Sequence, residues 1–417
     1  MIHNKNTILS AFHSDNAVND ASNYKKWRKT FHIINCILRF NPIIFQTTDL
    51  YMLIYKNVFQ RKPVNIKFGI DVNSQRLHLG HFSILYKLKL MLSLIEHSTI
   101  TIVLGTFTTT IGDINRQLKH KINRQIALQN ALLIKFFLQS YFRRYATRVK
   151  CVYNHEWCDK INILQFIKFA ENIKIYDVLS KLQNVHGIKV SNFIYPIIQG
   201  YDSCHLRNDI EIAGTDQTTN VLTGRQMMKI SKMTPQIAIM FPLLNVSIDS
   251  KTTKMSKSKN NCLTLINQSD KIKSFVFNCP AYKTIELTKL LFPLTEFSEH
   301  NMIATKRQLF RLIMSEIRFA INDKRKRVEI SLTVHATINL LHVFHCITMY
   351  SKTNIKRMFK HNLVTVNDEI HNQFTYVVST RNDRHTLCTK IQTLSVFIQL
   401  KVSNDNHIYK THQNVYL

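Results

Sequence analysis

Two short stretches of this 417-residue chain combine residue types that handle phosphate. His78-Leu79-Gly80-His81 stands where a strand-like alternation gives way to helical periodicity. The N-terminus of a helix, with its unsatisfied N–H groups and partial positive charge, binds anions. Two histidines on adjacent turns add donors for phosphate oxygens, and Gly80 lets a nucleotide come close to the backbone. Alone, this tetrapeptide reads equally well as a helix start with two surface histidines. Further on, Lys254-Met255-Ser256-Lys257-Ser258 lies between Lys251 and the pair Lys259-Asn260. Two lysines three apart on a loop can clamp a tri- or pyrophosphate and stabilise the charge that develops as it leaves. A lysine-rich loop by itself is ordinary solvated surface. Both stretches on the same side of one sheet are far more specific than either half.

The elements that must position them follow from the hydrophobic pattern. Ile66, Phe68 and Ile70 alternate as a strand, Asp71 to Arg76 reads as a turn, and Leu79 to Leu94 carries helical periodicity. Thr99 to Gly105 is a second strand, which completes a βαβ unit with its right-handed crossover. Arg148 to Val152, Asp209 to Ala213 and Gln236 to Met240 are further buried strands next to helical stretches. The pattern predicts a doubly wound α/β domain. Asn123 to Leu179 reads largely as helices and is taken as an insertion that mediates dimer contact. After Pro280 the chain reads as helical through Arg327, and Leu363 to Val402 is rich in strands. The polar start, without clear periodicity before Thr47, is expected to be flexible or loosely attached.

Composition narrows the partners. Lys and Arg number 56 against 26 Asp and Glu, a net charge of +30, which favours a polyanion such as nucleic acid. Asn301 to Leu417 holds +10 of it, so the basicity is nearly uniform and in part a compositional bias. The eight cysteines form no CxxC pair, which argues against a zinc knuckle or a disulfide scaffold and for reduced thiols. No run approaches the roughly 18 apolar residues that span a bilayer. The first residues have no secretory h-region, and Asp15 and Asp20 interrupt what would otherwise resemble a transit peptide.

HLGH and KMSKS resemble the two signature motifs of class I aminoacyl-tRNA synthetases. Phe68-Gly69-Ile70-Asp71, Phe193 to Asp202 (FIYPIIQGYD) and Ala213-Gly214-Thr215-Asp216-Gln217 further resemble tyrosyl-tRNA synthetases of the bacterial and organellar type. The likeness covers about Val64 to Leu265 and resumes more weakly at Ser351. It implies a Rossmann-like, doubly wound parallel-sheet catalytic domain at 47–280, with a helical dimer-interface insertion at about 118–190. A 1–46 extension, a candidate targeting segment, precedes it. A helical anticodon-binding domain at 281–330 and a small α+β RNA-binding module of the ribosomal S-four type at 331–417 follow.

The implied activity is ATP-dependent ligation of L-tyrosine to tRNA(Tyr) through a tyrosyl-adenylate, with Mg²⁺ on the pyrophosphate and no resident metal site. His78, His81, Lys254 and Lys257 would carry the electrostatic catalysis. The nucleotide would meet Gly69, Asp71, Asn73, Gly80, Gly214, Asp216 and Gln217 together with Met255, Ser256 and Ser258. Tyrosine would be held by Thr108, Asp113, Asn154, Tyr195, Gln199, Asp202 and Gln217. Asp202 would read the phenol, because a buried carboxylate is left unpaired by phenylalanine. Lys352, Lys356, Arg357 and Lys360, one basic face of a helix at Asn354 to Lys360, would contact structured RNA.

The chain departs from the usual pattern at three places. Val72-Asn73 replaces Pro-Thr, so an amide stands where a hydroxyl helps hold the γ-phosphate. Ile114-Asn115-Arg116 replaces Pro-Ser-Gly after Asp113. Lys67 stands where many members carry a tyrosine that touches the substrate phenol, which shifts phenol recognition to Asp202. A homodimer in an organelle of mitochondrial or plastid type is expected, a cytoplasmic setting being the alternative. Two other functions stay open: a tryptophanyl-tRNA synthetase, disfavoured by Gln199 and Tyr201, and a catalytically inactive RNA-binding homologue, disfavoured by the intact motifs.

Overall fold

The central feature is a six-stranded sheet in the order β1-β6-β5-β2-β3-β4. Its strands are β1 (Ile43–Phe45), β2 (Val64–Ile70), β3 (Ser98–Leu104), β4 (Val149–Tyr153), β5 (Ile210–Gly214) and β6 (Ile237–Phe241). All pairings are parallel except β1 with β6. The computed structural model describes residues 21–112, 122–171, 173, 190–248, 251–254, 263–265, 269–298 and 300–321, together with backbone strands between 325 and 403.

β5 is buried along its whole length and β2 at all but Asn65 and Gly69, although Lys67 and Glu211 interrupt their apolar residues. The helices, numbered in chain order, are α1 (Ala21–Leu38), α2 (Thr47–Gln60), α3 (Leu79–Leu94), α4 (Thr108–Ile111), α5 (Arg124–Tyr141), α6 (His155–Cys158) and α7 (Ile163–Ala170). They continue as α8 (Val190–Leu206), α9 (Thr218–Ile230), α10 (Ser269–Asn278), α11 (Ala281–Leu291) and α12 (Met302–Ile321). From β2 the chain moves outward through β3 to β4, then returns to place β5 on the other side of β2. Strand order therefore reverses between β2 and β5, and open α/β sheets bind ligands in the crevice at the carboxyl ends of such strands.

The expected strands and the helix Leu79–Leu94 coincide with β2 to β6 and α3 to within a residue or so. Three expectations differ from the structure. The start of the chain is not loosely attached from Ala21 onward. Ile33, Ile34, Ile37 and Phe40 are each at most 3% exposed, and β1 pairs Ile43 with Met240 at the sheet edge. Phe45 packs beside the buried Ala213, Val221, Ala238 and Met240. The polar residues of α1 hide an apolar stripe with helical spacing. Secondly, the stretch taken as an insertion contains β4, the strand expected at Arg148 to Val152, whose parallel pairing with β3 makes that part of it integral to the sheet. Thirdly, the helical run ends at Ile321 rather than Arg327, because Arg325 to Thr333 extends as β9.

By contacts the chain divides into one unit of residues 1–131, 144–264 and 270–310, and another of 132–143, 265–269 and 311–417. In the first, β7 (Asn245–Ile248) and β8 (Lys251–Lys254) form a hairpin. In the second, the strands are β9 (Arg325–Thr333), β10 (Thr337–Asn339), β11 (Val364–Val366), β12 (Glu369–Ile370), β13 (Thr375–Val377), β14 (Arg384–Ile391) and β15 (Leu394–Ser403). A five-stranded sheet runs β12-β11-β14-β15-β9, with only the β15 and β9 pair parallel, and β10 pairs with β13. The predicted helix Asn354 to Lys360 lies outside the described residues. Among the described residues no helix is long and apolar enough to cross a membrane.

One buried charge braces the face of the sheet. Lys87 of α3 is fully buried, with Nζ 2.7 Å from Ser83 Oγ, 3.1 Å from Ser83 O and 3.0 Å from Leu290 O. The rings of Phe40 and Phe241 lie 5.1 and 5.3 Å away. Burial pulls its pKa down to about 7. Between pH 7 and the unfolded value of 10.5 the unfolded chain thus holds the extra proton, so this residue adds stability as pH rises. Denaturant unfolding of the wild type and Lys87→Met should therefore show a gap in stability that moves in favour of the wild type from pH 7 to 10. A gap that does not change with pH would refute the assignment.

Candidate nucleotide and amino-acid site

α3 opens with a reciprocal cap. His78, in extended conformation, accepts the Gly80 N–H on Nδ1 at 3.1 Å, and its own N–H donates to His81 Nδ1 at 3.3 Å. The two rings stand 3.8 Å apart between centroids. With both Nδ1 atoms accepting, each ring when neutral carries its proton on Nε2. A Cβ at Gly80 would lie 3.0 Å from the His78 ring and would press on the capping imidazole. The Leu79 N–H donates to Leu263 O at 2.9 Å, and His78 forms a β-bridge with Thr264. The chain just beyond the lysine motif is thereby fastened to the helix start. Lys254 is the last residue of β8; Met255, Ser256, Lys257 and Ser258 lie outside the described residues. Asn73 has its Oδ1 buried without a hydrogen-bond partner, a structural mark of the change at that position.

Asp71, at the carboxyl end of β2, joins three elements. Its Oδ1 accepts from Thr108 Oγ1 at 3.0 Å and its Oδ2 from the Tyr195 hydroxyl of α8 at 2.9 Å. Gly105, after β3, donates its N–H to Ile70 O at 2.9 Å. A Cβ on Gly105 would stand 2.3 Å from Thr108 Oγ1 and 2.8 Å from Asp71 Oδ1. This requirement for glycine was not visible from the sequence, where Gly105 simply closes a strand. Val72 N–H is bound by Thr109 Oγ1 at 2.9 Å, and Asn130 Nδ2 donates to Val72 O at 2.8 Å.

A second centre forms around Asp202, which is 3% exposed. Its Oδ1 accepts from the Trp157 indole at 2.8 Å and lies 3.8 Å from Cys158 Sγ; its Oδ2 is 3.4 Å from Asn154 Nδ2. Asn154 also accepts the Phe107 N–H at 2.8 Å and reaches Thr108 Oγ1 at 3.4 Å, which connects the two centres. Burial pushes the Asp202 carboxyl up to about 6, while Lys67 and the donors from Trp157 and Asn154 pull the other way. Trp157 and Cys158 were missed from sequence. The one available signal was Trp157, one of only two tryptophans, three residues after Asn154.

Gln199 turns its Nε2 to Glu211 Oε1 at 3.3 Å. At the end of β5, Gly214 makes room for the chain to turn, since a Cβ there would sit 2.6 Å from Leu243 and 2.7 Å from Asp216. Gln217 donates to Asp216 at 3.4 Å and is itself held by Asn220 at 2.8 Å. Gly69 lies in β2. The structure thus gathers Asp71, His78, Gly80, His81, Thr108, Asn154, Tyr195, Gln199, Asp202, Gly214, Asp216 and Gln217 around the carboxyl ends of β2 to β5. Asp113, Lys352, Lys356, Arg357 and Lys360 lie outside the described residues.

Residues 60–329 match the family model of class I tRNA synthetases (W and Y). The chain belongs to this family. The synthetase is 32% identical over 252 residues to a tyrosine–tRNA ligase of Carboxydothermus hydrogenoformans, a match covering 58% of this chain and 60% of that protein. It is 27% identical over 386 residues to a tyrosine–tRNA ligase of Chlorobium chlorochromatii, covering 83% and 92%. It spans only about half the length of other curated relatives, such as that of Haemophilus ducreyi, at 54%. Its fold matches a tyrosyl-tRNA synthetase from Archaeoglobus fulgidus solved with L-tyrosine, with a TM-score of 0.56 at 18% identity over 69% of this chain and 98% of that one. A C-terminally truncated mitochondrial tyrosyl-tRNA synthetase of Aspergillus nidulans gives 0.52 at 15%, over 71% and 96%. Class I synthetases act on ATP, and the clustering of the capped α3 start with Gly214 and Asp216 at adjacent strand ends agrees with that use.

Gly105→Ala tests the Asp71 centre. We expect the intruding methyl to cost about 1–3 kcal/mol of stability in urea unfolding, as overpacking does. An unchanged midpoint would mean that Asp71 and Thr108 are not held against this residue.

Proposed function

We propose that this synthetase ligates L-tyrosine to tRNA(Tyr) at the expense of ATP. The observation that carries this reading is the buried Asp202 carboxylate, set on the same helix as Tyr195 and Gln199 in a W and Y family site. A site built to bond a hydroxyl rejects the analogue lacking it by about 10⁴–10⁵, tyrosyl-tRNA synthetase being itself the standard case. The tyrosine carboxylate attacks the α-phosphate, pyrophosphate departs, and the 3′-terminal ribose hydroxyl of the tRNA then takes the tyrosyl group with release of AMP. No covalent nucleophile of the protein is needed, so rate comes from placement and from stabilising charge on the phosphates. The Nε2–H groups of His78 and His81 serve that role from the helix start, with Lys254 and Lys257 from the KMSKS loop. Gly69, Gly214, Asp216 and Gln217 receive the adenosine side; Asp71 stands where the two subsites meet.

Among the described residues no group of three His, Cys, Asp or Glu is arranged to hold a metal. Mg²⁺ would come with the nucleotide phosphates. The S-four-type module with Lys352, Lys356, Arg357 and Lys360 is the proposed tRNA contact. A homodimer is supported by α7, none of whose residues is buried: Ile163, Leu164 and Ile167 are 69%, 76% and 43% exposed. An organellar setting is supported by bacterial relatives and a mitochondrial structural neighbour.

Amino-acid-dependent ATP–pyrophosphate exchange tests the whole reading. Tyrosine alone should support exchange. Exchange with tryptophan instead would reassign the substrate, and none with any amino acid in folded protein would favour an RNA-binding homologue. Asp202 must be ionised to accept the phenol, so KM for tyrosine should rise as pH falls through about 6, and Asp202→Asn should lose that dependence along with most discrimination against phenylalanine. Lys257→Ala should slow adenylate formation and leave tyrosine affinity nearly intact. Ile163→Asp with Leu164→Asp should convert a dimer to monomers in sedimentation; an unchanged mass would remove α7 from the interface.

A further inference from the structure

Two full charges lie inside the sheet beyond those the chemistry uses. Lys67 in β2 and Glu211 in β5 are direct register partners, each 1% exposed, with Nζ 3.0 Å from Oε1. A buried ion pair is a weak source of stability, because desolvation offsets most of the attraction and apolar replacements are often neutral or better. Its partners suggest another use. Lys67 Nζ also donates to Ser203 Oγ at 2.6 Å and to the backbone oxygen of Gln199 at 3.2 Å. Glu211 accepts from Gln199 Nε2 at 3.3 Å, from Ser203 Oγ at 3.1 Å and from Gln236 Nε2. The pair thus grips α8 at Gln199 and Ser203, which bracket Asp202.

A glutamine amide can present either end to a pocket. A carboxylate partner accepts only, so Glu211 selects the amino end of Gln199 and turns Oε1 the other way, as an acceptor. A charge-assisted bond of this kind is about twice as strong as a neutral one. We propose that Lys67 and Glu211 are a positioning pair for the ammonium side of the amino-acid pocket: Glu211 fixes the Gln199 amide with its oxygen toward the substrate ammonium, and Lys67 holds Glu211 and the Gln199 backbone in that register. This rests on the tyrosine-ligase reading. In it, the β2 position where many relatives touch the phenol directly serves the ammonium side instead, from behind the pocket wall.

Glu211→Gln or Lys67→Met alone leaves one buried charge unpaired and so threatens folding. The double variant removes both charges and is the decisive protein. Tyrosine affinity would be measured on the full chain by equilibrium dialysis and by exchange kinetics, beside the desamino analogue 3-(4-hydroxyphenyl)propionate and thermal unfolding. We expect the double variant to keep a near-normal melting temperature, to bind tyrosine about tenfold more weakly with kcat little changed, and to bind the desamino analogue as the wild type does, on the scale of one lost hydrogen bond. Equal weakening for tyrosine and its analogue, or wild-type affinity for both, would overturn the proposal alone. A wild-type chain that binds no tyrosine would overturn it together with the ligase reading.

Discussion

Both oxygens of the Asp71 carboxylate are occupied, one by Thr108 and one by Tyr195, and this fastens three separately built elements to one point. β2 supplies the aspartate, the turn after β3 supplies the threonine, and α8 supplies the phenol. Asn154 extends the connection from Thr108 to Asp202, so the end of β4 joins as well. The crevice at the strand ends is general to this kind of sheet. What makes it a particular pocket is that its walls are hydrogen-bonded to one another. Preorganised polar groups of this sort cost no reorganisation when charge develops in the transition state.

The buried polar groups follow one rule with different outcomes. Lys87 has three oxygen acceptors and two aromatic rings but no carboxylate, and its pKa falls to about 7. Asp202 has donors but little solvent, and its pKa climbs to about 6. Lys67 and Glu211 answer each other across two adjacent strands. In each case the interior sets the cost of charge, and the partners decide whether the charge stays.

Much of this was legible from the sequence because it is local. The alternation of Ile66, Phe68 and Ile70 and the spacing of Leu79, Phe82, Leu85 and Leu88 record which faces are buried, and the motifs record where strands end. What escaped was long-range or masked. Lys67 looked like a lost phenol contact, since nothing near it announces that Glu211 lies opposite. Gly105 looked like any strand terminus until Thr108 and Asp71 were seen to occupy the space of its missing Cβ. In α1 the lysines and asparagines mask the helical spacing of Ile33, Ile34 and Ile37, so its sequence carries no clear periodicity although these side chains are buried. The strand at Arg325 defeated a reading based on a helical run because its pairing partner, Ser395, lies 70 residues away.

The edge strand β1 has a consequence for synthesis. Ile43 pairs with Met240, so a segment made early closes the sheet only after about 200 further residues have been added. At the roughly 5–20 residues per second of translation, that is a wait of about 10–40 s. Throughout it, Phe40 lacks Phe241, the β6 ring it packs against in the folded protein. In that interval α1 and α2 can shield each other through Trp27, Tyr55 and Phe59, whose contacts lie within the two helices and need no later strand.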